Sequence, residues 1–344
     1  MRVNRDIFFD SMRGIAIIAV VAIHAIYLGG TPDSPGFLCY RQLLNFSVPV
    51  FFFMSGYWAS KKQISSIKDY KSFLTKKFFR IVVPYLFWSF VLLGYSALAK
   101  AHFGAFEIIF KLSTGGACMG YYFVIAIIQL YLLTPLLQYL NRRLKWYGFM
   151  LVLAFNFAII FVLYLSRLFH VIGHLPVALP FYFWVIYYEM GLFSGAGLGD
   201  FPVSPKMRAY ILFAIPVSGL ISVLEGHILS THYNSPDFAA FAVKYSTFIY
   251  SVFVILGFLL WKQYFRRLPR VLIVLGRYSF GIYLIHVVVL GWVVMLFQKS
   301  SLLRSFQPAY QLVLVATTTG ICFVLISAAR KLLPESVCVK VLGF

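Results

Sequence analysis

Apolar positions in this chain do not alternate with polar ones on the two-residue period of a half-buried strand. They run on in blocks of about 20 residues, each closed by a short polar stretch. These blocks predict about ten membrane-spanning helices, at roughly 12–30, 41–60, 81–99, 119–140, 146–166, 177–198, 209–224, 242–261, 279–298 and 308–330. A β-barrel would need short alternating segments instead. The expected class is all-α, a polytopic integral membrane protein, with residues 1–344 as a single membrane domain and no room for a sizeable soluble one. The first run has no small-residue cleavage site, so it reads as a retained helix and not as a signal peptide.

Composition agrees with that reading, at 61% hydrophobic and 12% charged residues over 344 positions, with a mean hydropathy of +0.86. Charge adds an orientation. A formal net charge of +20 would suit a nucleic-acid binder, but the basic residues fall between apolar runs, mostly on alternate sides. With the N-terminus in the cytoplasm, 23 of the 30 Lys and Arg residues lie on the inner side, and only Arg41, Lys100, Lys111, Arg167, Lys244, Lys299 and Arg304 lie outside. Ten spans with both termini cytoplasmic therefore satisfy the positive-inside rule, and nucleic acid is not an expected partner. Cys39, Cys118, Cys322 and Cys338 are scattered without metal-ligand spacing, so neither a disulfide nor a metal is expected.

Two inner connections are more than turns. Residues 61–80, KKQISSIKDYKSFLTKKFFR, carry seven basic residues, with Ile64, Ile67, Tyr70, Phe73, Leu74, Phe78 and Phe79 spaced as on an amphipathic helix. Such a segment either lies on anionic lipid or turns Lys77 and Arg80 toward a phosphate-bearing ligand. Residues 262–277 repeat the theme. In the second span Pro49 is a kink candidate, and Ser55 and Gly56 permit close helix approach; Pro84 opens the membrane part of the third.

Candidate chemistry is concentrated in a few polar residues inside apolar runs. Arg13 and His24 stand eleven residues apart, three helical turns plus roughly 20°, so they share one stripe about 16 Å apart along the axis. An ionisable pair there is costly unless it faces protein or water. Arg13 alone would pass for a positive flank, and His24 for a neutral bridge between helices. His286 is the second buried histidine, about 10 Å deeper than Ser279, with Tyr278 and Tyr283 near it. Glu189, among aromatic residues, must be protonated, hydrogen-bonded or paired, in a structural network or a catalytic role. On the outer side His102, His170, His174, His227 and His232, with Glu225 and Asp237, are loop candidates for contact with a polar substrate.

Taken together, Asp10, Arg13-Gly14 and His24, then FFFMSGY at 51–57, Lys77, Arg80, Pro84 and Tyr85, and LGRYSFGIYLIH at 275–286 resemble the membrane acyltransferase-3 family of bacterial O-acyltransferases. The resemblance runs over essentially the whole chain and is closest to the short, stand-alone type without an SGNH hydrolase domain. It implies ten helices, a place in the bacterial cytoplasmic membrane, an acyl-CoA donor, commonly acetyl-CoA, and a surface glycan or lipid-linked sugar as acceptor. Carried over by position, it makes His24, Arg13 and His286 catalytic, and Arg13, Lys77, Arg80 and Tyr283 donor-binding. One departure concerns the acceptor: members often have a histidine or acid before an aromatic-rich fourth span, where this chain reads GACMGYYFV at 116–124 and offers Tyr121 or Tyr122.

The chemistry such an activity needs is present. A neutral His24 can remove the acceptor's hydroxyl proton, and Arg13, always charged, suits a phosphate or carbonyl of the donor. The alternatives are a non-catalytic protein that binds or exports a lipid-linked glycan, and a secondary transporter, although no internal repeat is evident.

Overall fold

The computed structural model describes residues 6–29, 35–98, 103–169, 180–198, 204–262, 268–298 and 305–344. The outer-loop candidates His102, His170 and His174, and the inner basic residues Arg266 and Arg267, lie outside them. Among the described residues the protein is helical without strands, as a chain that must satisfy its backbone inside a bilayer requires. Nine stretches among the described residues are long and apolar enough to cross a membrane. The protein is a polytopic all-α membrane protein.

The helices are α1 (Ile7–Gly29), α2 (Pro35–Leu44), α3 (Ser47–Ser60), α4 (Ile67–Lys77), α5 (Val83–Leu98), α6 (Ala105–Thr114), α7 (Tyr122–Leu144), α8 (Trp146–Leu168) and α9 (Phe181–Gly195). They continue with α10 (Pro205–Thr231), α11 (Pro236–Ala240), α12 (Tyr245–Leu260), α13 (Arg270–Arg277), α14 (Ser279–Phe297) and α15 (Gln307–Leu332). The expected sixth span, 177–198, corresponds to the 15 residues of α9, with residues 177–179 outside the described ones.

Three expectations are corrected. The second span breaks at Asn45 and Phe46 and not at Pro49, which sits in the first turn of α3, where a missing backbone donor costs little. The basic segment before the third span is not a separate helix over 61–80. It starts at Ile67, where Ser66 and Asp69 form a reciprocal capping box, and runs on through one π-helical turn, Phe78–Val82, to Leu98. The wide turn comes just ahead of Pro84, which has no N–H to give, and its last bond runs from the Val83 N–H to the Phe78 carbonyl. The seventh span is longer than 209–224: α10 has 27 residues, opened by the Ser204 hydroxyl and Pro205, so Glu225 and His227 lie on a helix and not in a loop.

The chain folds as two compact units. One gathers Met1–Met54, Phe157–His174 and Asp200–Phe323; the other gathers Ser55–Asn156, Leu175–Gly199 and Val324–Phe344. In the first, α1 packs against α13 and α14, and α10 against α2 and α12. The α1–α13 crossing depends on Gly14 and Gly276. A Cβ on Gly14 would strike the Leu272 carbonyl, and one on Gly276 the Asp10 carbonyl, so only glycine lets these backbones touch.

Buried polar groups tie the helices of this unit together. The Lys244 ammonium, fully buried, donates to Gln42 Oε1 at 2.8 Å and to the Ala239 carbonyl at 2.6 Å. The Glu225 carboxylate accepts from the Tyr164 and Ser246 hydroxyls, which joins α8, α10 and α12. Glu225, expected as an acid for an external substrate, therefore serves the helix packing.

The second unit packs α7 against α9. Gly56 lies against the backbone of Tyr188 in the close approach that its position led one to expect. Gln138 ties α7 to the end of α3, donating to the Ala59 and Lys62 carbonyls at 3.2 and 2.8 Å. The Thr134 and Tyr188 hydroxyls meet at 2.8 Å across α7 and α9. Such links are worth about 0.6 to 2 kcal/mol each inside a bilayer. The C-terminal segment is held to α5 by the Trp88 indole, which donates to the Leu342 carbonyl at 3.0 Å.

Candidate active site

In the first unit α1 carries Asp10, Arg13, Gly14 and His24 on one unbroken helix. The glycine contact with α13 brings the end of that helix to Asp10. There the buried carboxylate bridges two arginines: Arg13 Nη1 lies 3.1 Å from Asp10 Oδ1, and Arg277 Nε lies 3.4 Å from Oδ2. The side chain of Asp10 is 5% exposed, against 31% for Arg13 and 43% for Arg277. One negative charge thus fixes two cations whose outer faces remain accessible. Lys262 reaches Asp6 at 3.7 Å and lies over the rings of Phe8 and Phe9, which adds a third cation to this end of the unit.

Further along α1, His24 meets His286 of α14, their ring centroids 4.9 Å apart. The packing of α1 on α14 makes this pair, since the two residues are remote in the chain. His286 turns back on its own helix: Nδ1 lies 2.8 Å from the Tyr283 carbonyl and 3.2 Å from that of Ile282. A nitrogen that close to carbonyl oxygens carries the hydrogen and donates it. In the neutral ring Nε2 then holds the lone pair, and it is buried without a hydrogen-bond partner among the described residues. His24 Nδ1 is likewise buried and unpartnered among them. Two adjoining imidazoles with an unsatisfied nitrogen each are costly in an apolar interior unless a ligand or water completes them.

Of the expected site residues, His24, His286, Arg13 and Tyr283 belong to this unit. Tyr283 is 8% exposed and stands 6.2 Å from His286 between ring centroids, so its backbone carbonyl as well as its ring belongs to the histidine's surroundings. Arg41 of α2 lies over the ring of Tyr27, donates to the Ala240 carbonyl at 3.0 Å, and is near enough to act electrostatically on His24. Sequence reasoning gave no role to Arg41 or to Asp10. The signal for Asp10 was present, an acid three residues before Arg13; for Arg41 there was none.

Lys77 and Arg80 belong to the second unit, on either side of the start of the π-helical turn. Lys77 Nζ donates to the Tyr131 hydroxyl at 3.2 Å and lies 4.3 Å from the centroid of that ring. Arg80 is exposed. Glu189 is 1% exposed, and neither carboxyl oxygen has a hydrogen-bond partner among the described residues, although the Asn141 amide is near enough to act on it.

A protein of Bacillus subtilis named as a membrane-bound acyltransferase, YfiQ, is 26% identical over 326 residues, covering 85% of this chain and 83% of its own. The nodulation protein NolL of Sinorhizobium fredii is 28% identical over 149 residues, 42% of this chain and 39% of its own. No solved structure matches the chain at a significant level. The family model described as an acyltransferase domain matches residues 6–327, which contain both histidines, the Asp10 bridge, Lys77 and Arg80, and the chain belongs to this family of membrane acyltransferases.

Proposed function

We propose that the protein is an O-acyltransferase, most simply an O-acetyltransferase, which moves an acyl group from cytosolic acyl-CoA to a hydroxyl of an extracytoplasmic or lipid-linked glycan across the bacterial cytoplasmic membrane. The observation that carries this reading is the histidine pair: two imidazoles with ring centroids 4.9 Å apart on membrane helices, each with a buried nitrogen that has no partner among the described residues, in a chain of an acyltransferase family. Acyl transfer to a hydroxyl needs a base for the hydroxyl proton and a donor of positive charge or hydrogen bonds for the oxyanion.

In the proposed step the acceptor oxygen attacks the thioester carbonyl as His24 removes its proton. The C–S bond then breaks, and the departing thiolate takes that proton from the His24 imidazolium. His286, its tautomer set by the Tyr283 carbonyl, presents a lone pair to the neighbouring ring and orients it. Arg13 holds a phosphate or the carbonyl of the donor, with Asp10 fixing its direction, and Lys77 and Arg80 supply further charge for the coenzyme A phosphates. Tyr283 closes the donor side of the histidine pair.

The test is single-turnover transfer from radiolabelled acetyl-CoA to a glycan acceptor, with donor binding measured on the same preparation. Transfer supports the reading. Donor binding without transfer to any hydroxyl acceptor would leave a binding or export protein in its place.

A further inference from the structure

The second unit contains a cavity of about 320 Å³ between the α4–α5 helix and α7. Leu74, Phe78 and Ile81 wall it on one side, Ile128 and Leu132 on the other. Its polar lining residues are Lys77, Tyr131 and Thr75. Lys77 uses one of its three N–H groups on the Tyr131 oxygen, and among the described residues no carboxylate pairs with it. Tyr131 is 4% exposed, and its own hydrogen has no acceptor among the described residues. A lysine and a phenol that share one bond thus hold spare donors at the wall of a mostly apolar hollow. The complementary ligand has an anionic, oxygen-rich head joined closely to an apolar chain.

We propose that this cavity binds an anionic phospholipid of the surrounding bilayer, its phosphate on Lys77 and Tyr131 and one acyl chain between the π-helical turn Phe78–Val82 and α7. Two further observations select a lipid. The helix that carries Lys77 also presents Lys68, Lys71 and Lys76, while its one acid, Asp69, is held by the Ser66 cap, so the surface is attracted to an anionic leaflet. The spacing of head and chain also matters. In a phospholipid only the glycerol ester separates phosphate from acyl chain, which suits a cation set in the cavity wall; in acyl-CoA the whole pantetheine arm lies between them. The lipid site shares Lys77 with the proposed donor site but does not rest on the acyl-transfer reading, since the third N–H of Lys77 remains for a donor phosphate.

The experiment is native mass spectrometry of the full-length protein released from nanodiscs of mixed phosphatidylglycerol and phosphatidylcholine. The wild type is expected to retain phosphatidylglycerol in preference to phosphatidylcholine, and K77Q and Y131F to lose about tenfold of that preference, as the loss of one charged hydrogen bond predicts. L132W, which fills the cavity and leaves both donors in place, should also reduce retention. Equal retention of the two lipids, or unchanged retention in K77Q and L132W, overturns the proposal. Displacement of phosphatidylglycerol by added acetyl-CoA would also overturn it, because the cavity would then be a donor site. Near-ultraviolet circular dichroism of each variant separates loss of the lipid from loss of the fold.

Discussion

His286 donates from Nδ1 to the carbonyl of Tyr283 at 2.8 Å, so the residue one turn earlier in its own helix decides which nitrogen of the ring is free to face His24. This relationship separates the two histidines chemically. His24 has no such partner on Nδ1 among the described residues, so its tautomer is not set in this way, while His286 keeps its lone pair on Nε2 beside it. In the proposed step His24 is the base and His286 orients it.

Replacement of His24 by Ala should accordingly cut the rate of acyl transfer by about 10²- to 10⁴-fold, the range for a positioned base. Donor binding should remain near the parental level, because a neutral imidazole contributes little to holding a phosphate. His286→Ala should give a smaller loss, in kcat with little change in the donor KM, as expected of a positioning residue. Near-parental turnover in a folded H24A protein would move the base to His286 or Glu189.

Asp10→Asn should loosen both arginines. The carboxylate is buried while its partners are 31% and 43% exposed, so the stability cost belongs at the lower end of the range for charged hydrogen bonds, about 1.5 kcal/mol. The effect on the donor should be larger than that on the fold: acetyl-CoA affinity falls while the melting temperature in detergent drops only slightly. R13A should lose donor binding as D10N does, and R80Q should weaken it by about tenfold. Unchanged titration of acetyl-CoA into R80Q would make Arg80 a membrane flank only.

Gly276→Leu should separate α1 from α13, because even a Cβ at this position meets the Asp10 carbonyl. Overpacking of this kind costs about 1–3 kcal/mol. Stability should fall, and donor binding with it, as Arg277 leaves Asp10; a parental melting temperature for G276L would show that the two backbones are not in contact.

Single cysteines at Lys71, Arg143 and Lys206 should react from the cytosolic side, and one at His232 from outside. The native Cys118 is a quiet background for this experiment, because burial pushes its thiol up to about 12 and leaves it protonated at the pH of maleimide labelling. Reaction of Lys71 and His232 cysteines from the same side would overturn the arrangement of spans.

The helical, membrane-spanning character of the chain was legible in its linear pattern. A bilayer excludes unpaired backbone, so runs of about 20 apolar residues have one way to fold; about ten were expected, and nine stretches among the described residues are long and apolar enough to span. The shared stripe of Arg13 and His24 was legible for the same reason, since helix periodicity is local. Local chemistry was harder to place at helix ends. The start at Ile67 depends on a Ser66–Asp69 cap within a basic stretch, and the break at Asn45 preceded the proline that marks it in the sequence.

What the linear order could not contain is which remote residues meet. His24 and His286, Asp10 and Arg277, Lys77 and Tyr131, and Lys244 and Gln42 are separated by long stretches of chain, and each pair exists because two helices cross at a particular point. Those crossings depend on where glycine lets backbones touch and where a buried donor finds an acceptor, terms that involve both helices at once. The amino-acid sequence by itself determined that the polar groups lie within membrane helices. The tertiary structure decided that Glu225 and Lys244 serve packing, and that His24 stands against His286, because only the packed helices set which buried groups are satisfied and which are left free.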